Sequence, residues 1–244
     1  GRENYEICNI QNSSFLDLHL DLSDKDSPFR FTLPKLEILA DSFKKQGIGS
    51  GYHVILYSRN GAQWSARIWW MLRAVGFDRA SILDGGFNQW QKMNLPTSKG
   101  YLTFSKSDFV FSPRDNIFVN KDAVLEAIDN PKFIILNSLT ADIHNGENPR
   151  YGRRGRIPTS LNIPFHELLD IETGKFKKFD ELSKIFQIND VSKDSCVLNY
   201  CGGGIAASLE AFVLYQLGFE NITIYDNSLH EWAAIDQTLP MEND

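Results

Sequence analysis

Cys201 opens the run Cys201-Gly202-Gly203-Gly204-Ile205-Ala206, a thiol followed by three glycines and then by an apolar, alanine-rich stretch. The thiolate is the nucleophilic form of cysteine. Glycines let the backbone approach closely and curl so that successive amides face one point, as an anion nest. A helix starting near Ile205 brings its positive end to the same place. Cys201 is therefore the expected nucleophile. The amides of Gly202, Gly203, Gly204, Ile205 and Ala206 are the expected cradle for an anionic sulfur. The plain alternative, a buried structural cysteine at a strand end, leaves the glycines and the helix start without a purpose. A second constellation lies upstream, where Arg150, Arg153, Arg154 and Arg156 crowd into seven residues. Guanidinium groups pair well with carboxylate or sulfonate oxygens, so these arginines are candidates to clamp an anionic substrate, against the alternative of a solvated basic turn. Cys196 falls inside an apolar run and reads as structural, and Cys8 as incidental.

The remaining composition narrows the classes. The chain has 244 residues, 42% of them hydrophobic, enough for one or two domains with real cores. Its net charge of −6 argues against nucleic acid as a partner. No apolar run reaches the length of a membrane span, and no secretory signal pattern opens the sequence. Three cysteines, an odd number, suit a reducing compartment such as the cytoplasm. The five histidines, at 19, 53, 144, 166 and 230, show no metal-ligand spacing, so no metal or organic cofactor is expected. His230 lies in the segment that closes the second copy of the repeat, from which it could approach the candidate site, and reads as structural.

An internal repeat says which elements must hold these groups. Residues 54–90 and 196–232 share the order apolar strand, loop, helix, Gly-Phe, strand, Asp and Trp. Gly76-Phe77 matches Gly218-Phe219, Asp84 matches Asp226, and Trp90 matches Trp232, all at an offset of 142. Short apolar runs at Val54–Tyr57, Cys196–Tyr200, Ser81–Leu83 and Ile222–Tyr225 read as buried strands. Ile68, Trp69, Leu72 and Val75 in one copy, and Leu209, Phe212, Val213 and Leu217 in the other, mark the apolar faces of the intervening helices. Gly76 and Gly218 suit the helix ends. Upstream of the second copy, Phe133–Asn137 reads as a strand, 155–165 as a turn into a short strand, and Phe179–Ile188 as an amphipathic helix. Strand–helix–strand units build parallel sheets flanked by helices. The expected division is 1–96 as one α/β domain, 97–114 as a linker and 115–244 as a second. Shifting Phe133–Asn137 back by 142 passes the first residue, so the first domain is expected to lack its opening strand, as a fragment or shortened variant would. After the matching tyrosines, Tyr57 and Tyr200, Ser58 stands in the position of Cys201, in a segment one residue longer before its glycine cap, which predicts an inert first domain. Trp64, Trp69 and Trp70 read as packing residues.

These motifs together resemble the tandem-domain rhodanese-like sulfurtransferase family, which includes thiosulfate and 3-mercaptopyruvate sulfurtransferases. Residues 155–165, Gly-Arg-Ile-Pro-Thr-Ser-Leu-Asn-Ile-Pro-Phe, are similar to the family's Gly-His-Ile-Pro-Gly-Ala-x-Asn-Ile-Pro signature. Residues 200–208 resemble its active-site loop, and 83–90 and 225–232 the segments that close each domain. The resemblance implies two rhodanese-like domains, the second catalytic. It implies transfer of sulfane sulfur from a small anionic donor, thiosulfate or 3-mercaptopyruvate, to a thiol, cyanide or a thioredoxin-like acceptor, through a persulfide on Cys201. It also singles out Arg150, in Pro149-Arg150-Tyr151-Gly152, as a binder of the donor carboxylate, with Arg153 and Arg154 second and Arg156 structural. Two departures stand out. Asn137-Ser138-Leu139 replaces the usual Asp-x-Arg at the end of the first strand, and Gly203 replaces the serine of the mercaptopyruvate-type loop. No basic residue follows the cysteine, which leans toward mercaptopyruvate over thiosulfate. A cysteine phosphatase of this fold needs an arginine six residues after the cysteine, where this chain has Ala207. A cysteine peptidase needs a histidine base beside the thiol, and no local signature supplies one. A catalytically weak binding or regulatory module is the other alternative.

Overall fold

Apolar runs of five residues in the second half of the chain pair side by side. In the computed structural model, which describes residues 1–243, the chain forms two units, Gly1–Arg114 with Glu172–Lys175, and Asp115–Ile171 with Phe176–Asp244. The second unit holds a five-stranded sheet in the order β5-β9-β8-β6-β7. The strands are β5 (Phe118–Val119), β6 (Phe133–Asn137), β7 (Leu161–Asn162), β8 (Cys196–Tyr200) and β9 (Ile222–Tyr225), and every pairing is parallel. Both faces of a parallel sheet are covered by its crossover helices, so its strands are apolar almost continuously. Ile135, Leu136, Val197, Leu198, Ile224 and Tyr225 are accordingly buried.

The helices of this unit are α5 (Lys121–Ile128), α6 (Ala141–His144), α7 (Phe179–Ile188), α8 (Ile205–Gln216) and α9 (Ser228–Trp232), with a 3-10 turn at Phe165–Leu168. Asn120 caps α5 by accepting from the amides of Asp122 and Ala123. Helix α8 is buried on nearly every side, from Ala206 to Leu214, as expected of a helix whose one charged residue is Glu210. It ends at Gly218, whose φ of +87° only glycine adopts freely.

The first unit contains α1 (Arg2–Ile7), β1 (Asn9–Ile10), α2 (Leu36–Lys45), β2 (Val54–Leu56), α3 (Ala62–Ala74), β3 (Ala80–Ile82), α4 (Gly86–Lys92) and β4 (Thr97–Ser98). Strands β2 and β3 pair in parallel, and β1 pairs antiparallel with β4. The repeat makes β2 the counterpart of β8. Where β8 lies between β9 and β6, β2 pairs with β3 alone among the described residues. Residues 9–10 pair outside the parallel ladder, antiparallel with Thr97–Ser98. Trp69 and Trp70 are buried, their rings edge to face at 5.0 Å, and the Trp69 indole donates to the Ala80 carbonyl. Residues 97–114, read from the sequence as a linker, are held to this unit: Phe109 is buried against Phe77, and the Ser112 amide donates to the Val75 carbonyl. Among the described residues no helix is long and apolar enough to cross a membrane.

Candidate active site

The loop Cys201–Gly204 joins the carboxyl end of β8 to the start of α8, where ligands of open α/β sheets collect. Tyr200, the last residue of β8, is fixed from below. Its hydroxyl meets the amide of Ile157 at 3.2 Å and the hydroxyl of Ser160 at 2.9 Å, and its burial pushes the phenol far up in pKa. The Ser138 amide donates to the Tyr200 carbonyl, which extends the β6–β8 ladder one residue beyond the strands. Gly204 takes φ +73° to turn the chain into α8.

What shapes the loop is a residue that sequence reasoning passed over. Ser228, fully buried and held at φ +50°, accepts from the Cys201 amide at 3.0 Å and the Gly204 amide at 3.3 Å, and donates to the Tyr225 carbonyl at 2.7 Å. The next two amides of α9 complete the grip: Leu229 N–H donates to the Cys201 carbonyl and His230 N–H to the Gly202 carbonyl. Serine at this point of the repeat stands opposite Gly86 of the first unit, which also has positive φ. That correspondence was the one available signal, and it is faint.

This arrangement redistributes the expected donors. The Gly204 amide, expected in the anion cradle, is turned inward to Ser228. The amides of Ile205 and Ala206 belong to the first turn of α8, which supplies no intrahelical acceptor for them. Together with Gly202 and Gly203 they are the amides left to face an anion. Cys201 itself is 2% exposed, more enclosed than a nucleophile at a loop mouth is expected to be. The cover includes a polar group. A methyl group placed on Gly202 would meet the Tyr151 hydroxyl at 2.1 Å, so the phenol lies directly on the loop beside Cys201. Burial, and next the charge of Cys201, raise the Tyr151 pKa, while Arg150 lowers it. The phenol therefore remains protonated. The Tyr151 ring meets the His230 ring edge to face at 5.0 Å, which brings His230 to the site.

The four arginines part company. Arg150 is exposed, with its guanidinium 5.7 Å from the centre of the Tyr151 ring. Among the described residues it makes no hydrogen bond or ion pair, so its donors are available to a ligand. Arg153 spends its donors on the carbonyls of Trp232, Ala234 (3.2 Å) and Leu239 (2.7 Å), and thereby pins the C-terminal segment. Arg154 is exposed and holds the carbonyls of Gly146 and Glu147. Arg156 is buried and pairs with Glu242 at 2.5 Å. The structure thus brings Arg150 alone of the three expected anion-binding arginines to Tyr151, and employs Arg153 and Arg154 in holding the backbone.

The residues that replace Asp-x-Arg have their own network. Asn137 accepts from the Leu139 amide and meets the His144 ring at 3.1 Å, and the Ser138 hydroxyl donates to the carboxyl of the fully buried Glu210. Cys8, Cys196 and Cys201 are all free thiols. In the first unit, the Ser58 hydroxyl donates to the Gly61 carbonyl, within its own turn.

Comparison with known proteins places this geometry in context. A family model described as a rhodanese-like domain matches residues 1–93 and 121–235. The chain is 34% identical over 245 residues to the 3-mercaptopyruvate sulfurtransferase of Escherichia coli K12, covering 98% of this chain and 85% of that protein. It is 28% identical to the thiosulfate sulfurtransferase of Gallus gallus, covering 95% of this chain and 81% of that one. The crystal structure of a 3-mercaptopyruvate sulfotransferase from Escherichia coli, described as having the rhodanese fold, superposes with a TM-score of 0.82. It is 32% identical and covers 93% of this chain and 85% of its own.

Proposed function

The chain belongs to the tandem rhodanese-like sulfurtransferase family, and from that premise we propose that Cys201 carries the transferred sulfur in a site built wholly by the second unit. The activity is sulfur transfer. The observation that supports Cys201 as the carrier is its position between the end of the central strand β8 and the start of α8, with its own amide and that of Gly204 anchored on Ser228.

The cycle has two halves. The Cys201 thiolate attacks the sulfur of the donor, the bond from that sulfur to the rest of the donor breaks, and its electron pair leaves with the remainder. Cys201 then bears a persulfide, Cys–S–S⁻. The amides of Gly202, Gly203, Ile205 and Ala206 and the positive end of α8 stabilise that anion. An acceptor thiolate or cyanide attacks the outer sulfur and releases the Cys201 thiolate. Arg150 binds the anionic end of the donor. The donor is 3-mercaptopyruvate in preference to thiosulfate, because no cation follows Cys201 to meet a dianion and the free Arg150 fork matches a carboxylate. Acceptors of the thioredoxin type, a reducing compartment such as the cytoplasm, and a non-catalytic role for residues 1–96 complete the reading. Free thiols at all three cysteines support the compartment, and the self-satisfied Ser58 supports the silent first domain.

Intact-protein mass measured after incubation with each donor tests the carrier. Wild type should gain one sulfur atom and Cys201→Ser none; a gain retained by Cys201→Ser would place the carrier elsewhere. Arg150→Ala should raise the concentration of mercaptopyruvate needed for half-saturation by about tenfold or more, the worth of one hydrogen bond to a charged group. Unchanged saturation would remove Arg150 from the donor site.

A further inference from the structure

Tyr151 has every attribute of a group placed for chemistry, and the sulfur-transfer cycle as written above gives it none. Its hydroxyl lies on the Cα of Gly202, so close that any side chain at 202 would collide with it. It senses the charge of Cys201 and, from the other side, that of Arg150. Among the described residues its hydroxyl has no hydrogen-bond partner, although the ring is half-buried and braced against His230. The segment that carries it is held firm: the Gly152 amide donates to the Pro149 carbonyl, and the Arg153 amide to the Ala233 carbonyl at 2.7 Å. Among the described residues it is thus a partnerless phenol on a firmly held turn, against the loop that carries Cys201 and next to Arg150.

We propose that Tyr151 is a catalytic residue that gives a proton to the organic leaving group when the donor is an α-keto thiol. The inference rests on the reading of Cys201 as sulfur acceptor. With 3-mercaptopyruvate, Cys201 thiolate attacks the thiol sulfur, the S–C bond breaks, and its electron pair leaves on carbon as the enolate of pyruvate. The sulfur remains as Cys–S–SH. The Tyr151 O–H protonates the enolate to give pyruvate, and the resulting phenolate takes the proton from Cys–S–SH. The products are Cys–S–S⁻, pyruvate and neutral Tyr151, so the donor's own thiol proton ends on carbon and no outside acid is consumed. With thiosulfate the S–S pair leaves on sulfite, a stable dianion that needs no proton. Tyr151 therefore separates the two donors: it assists the one whose leaving group is a carbon base, and has no proton to supply to the other. Its raised pKa keeps that proton in place at neutral pH.

The test is Tyr151→Phe, which keeps the ring and removes the hydroxyl, assayed with both donors. The ratio of kcat/KM for mercaptopyruvate to that for thiosulfate should shift toward thiosulfate by about a hundredfold, the lower range for loss of a general acid. The lost mercaptopyruvate turnover should return as the concentration of a small buffer acid is raised, a rescue that a packing role would not show. An equal fall with both donors, no fall with mercaptopyruvate, or the absence of buffer rescue overturns the proposal. So does a wild-type protein that turns over thiosulfate alone. Intact mass distinguishes failure of the parent reading: wild type that gains sulfur on Cys201 from neither donor refutes the carrier, whereas gain in wild type with no shift of the ratio in Tyr151→Phe refutes the proton role alone.

Discussion

Glutamine in place of Glu210 tests how α8 carries a carboxyl group through the interior of the second unit. Glu210 is fully buried; one carboxyl oxygen accepts the Ser138 hydroxyl, and the other has no partner among the described residues. Burial disfavours the charged form and pushes the pKa from the ordinary 4.5 up to about 8, with the Ser138 hydrogen bond opposing the rise. The unfolded chain releases this proton near pH 4.5 and the folded chain only near pH 8. Between these values the folded state binds more protons, so stability falls as pH rises through the window and levels off above it. From pH 4.5 to 7, at about 1.4 kcal/mol per pH unit, the loss is about 3 kcal/mol. Glutamine has no proton to release. Urea denaturation of wild type and Glu210→Gln across this range should give curves that diverge by that amount, with wild type losing more as pH rises. A constant offset from the added amide hydrogens would leave the divergence intact, and all other titrating groups cancel in the difference. Parallel curves would refute burial of an ionisable carboxyl as the cause.

Two further substitutions probe the loop. Ser228→Ala removes the acceptor shared by the Cys201 and Gly204 amides; buried amides left unpaired cost about 1–3 kcal/mol each, so calorimetry should show a lower Tm and the transfer assay a lower kcat, and wild-type values in both would mean the loop is held otherwise. Gly202→Ala drives a methyl into the Tyr151 ring; the expected destabilisation of about 1–3 kcal/mol for overpacking should largely vanish in a Tyr151→Ala background, and a purely additive pair would show that the two residues do not meet.

Much of the second unit is legible in its residues. Phe133–Asn137, Cys196–Tyr200, Ile222–Tyr225 and Phe179–Ile188 have in the structure the bounds that their apolar patterns suggest, because a parallel sheet demands unbroken apolar runs and α7 demands a one-sided face. Cys201 and Arg150 are legible because their types carry chemistry. Ser228 and Tyr151 are not. Serine and tyrosine are common in loops, and each acts on the glycine loop through folding, from 27 residues beyond Cys201 and 51 before Gly202. The burial of Glu210 is not legible either: a charged residue in a helix suggests a solvent face, but α8 is buried from Ala206 to Leu214 and carries the glutamate inward. Arg153 shows the limit for charge clusters: its type suggests an anion, and three carbonyls of the C-terminal segment claim it instead.

Those three carbonyls tie the strip bearing Tyr151 to the end of the helix bearing Ser228. Arg156 and Glu242 close the same seam further along, and the Trp232 indole, bonded to the Pro240 carbonyl, fastens the tail beneath it. Ceiling and floor around Cys201 are therefore stitched into one rigid frame. With Cys201 only 2% exposed, the Tyr151 ring rather than the backbone is then the part of the enclosure free to yield to an incoming sulfur compound.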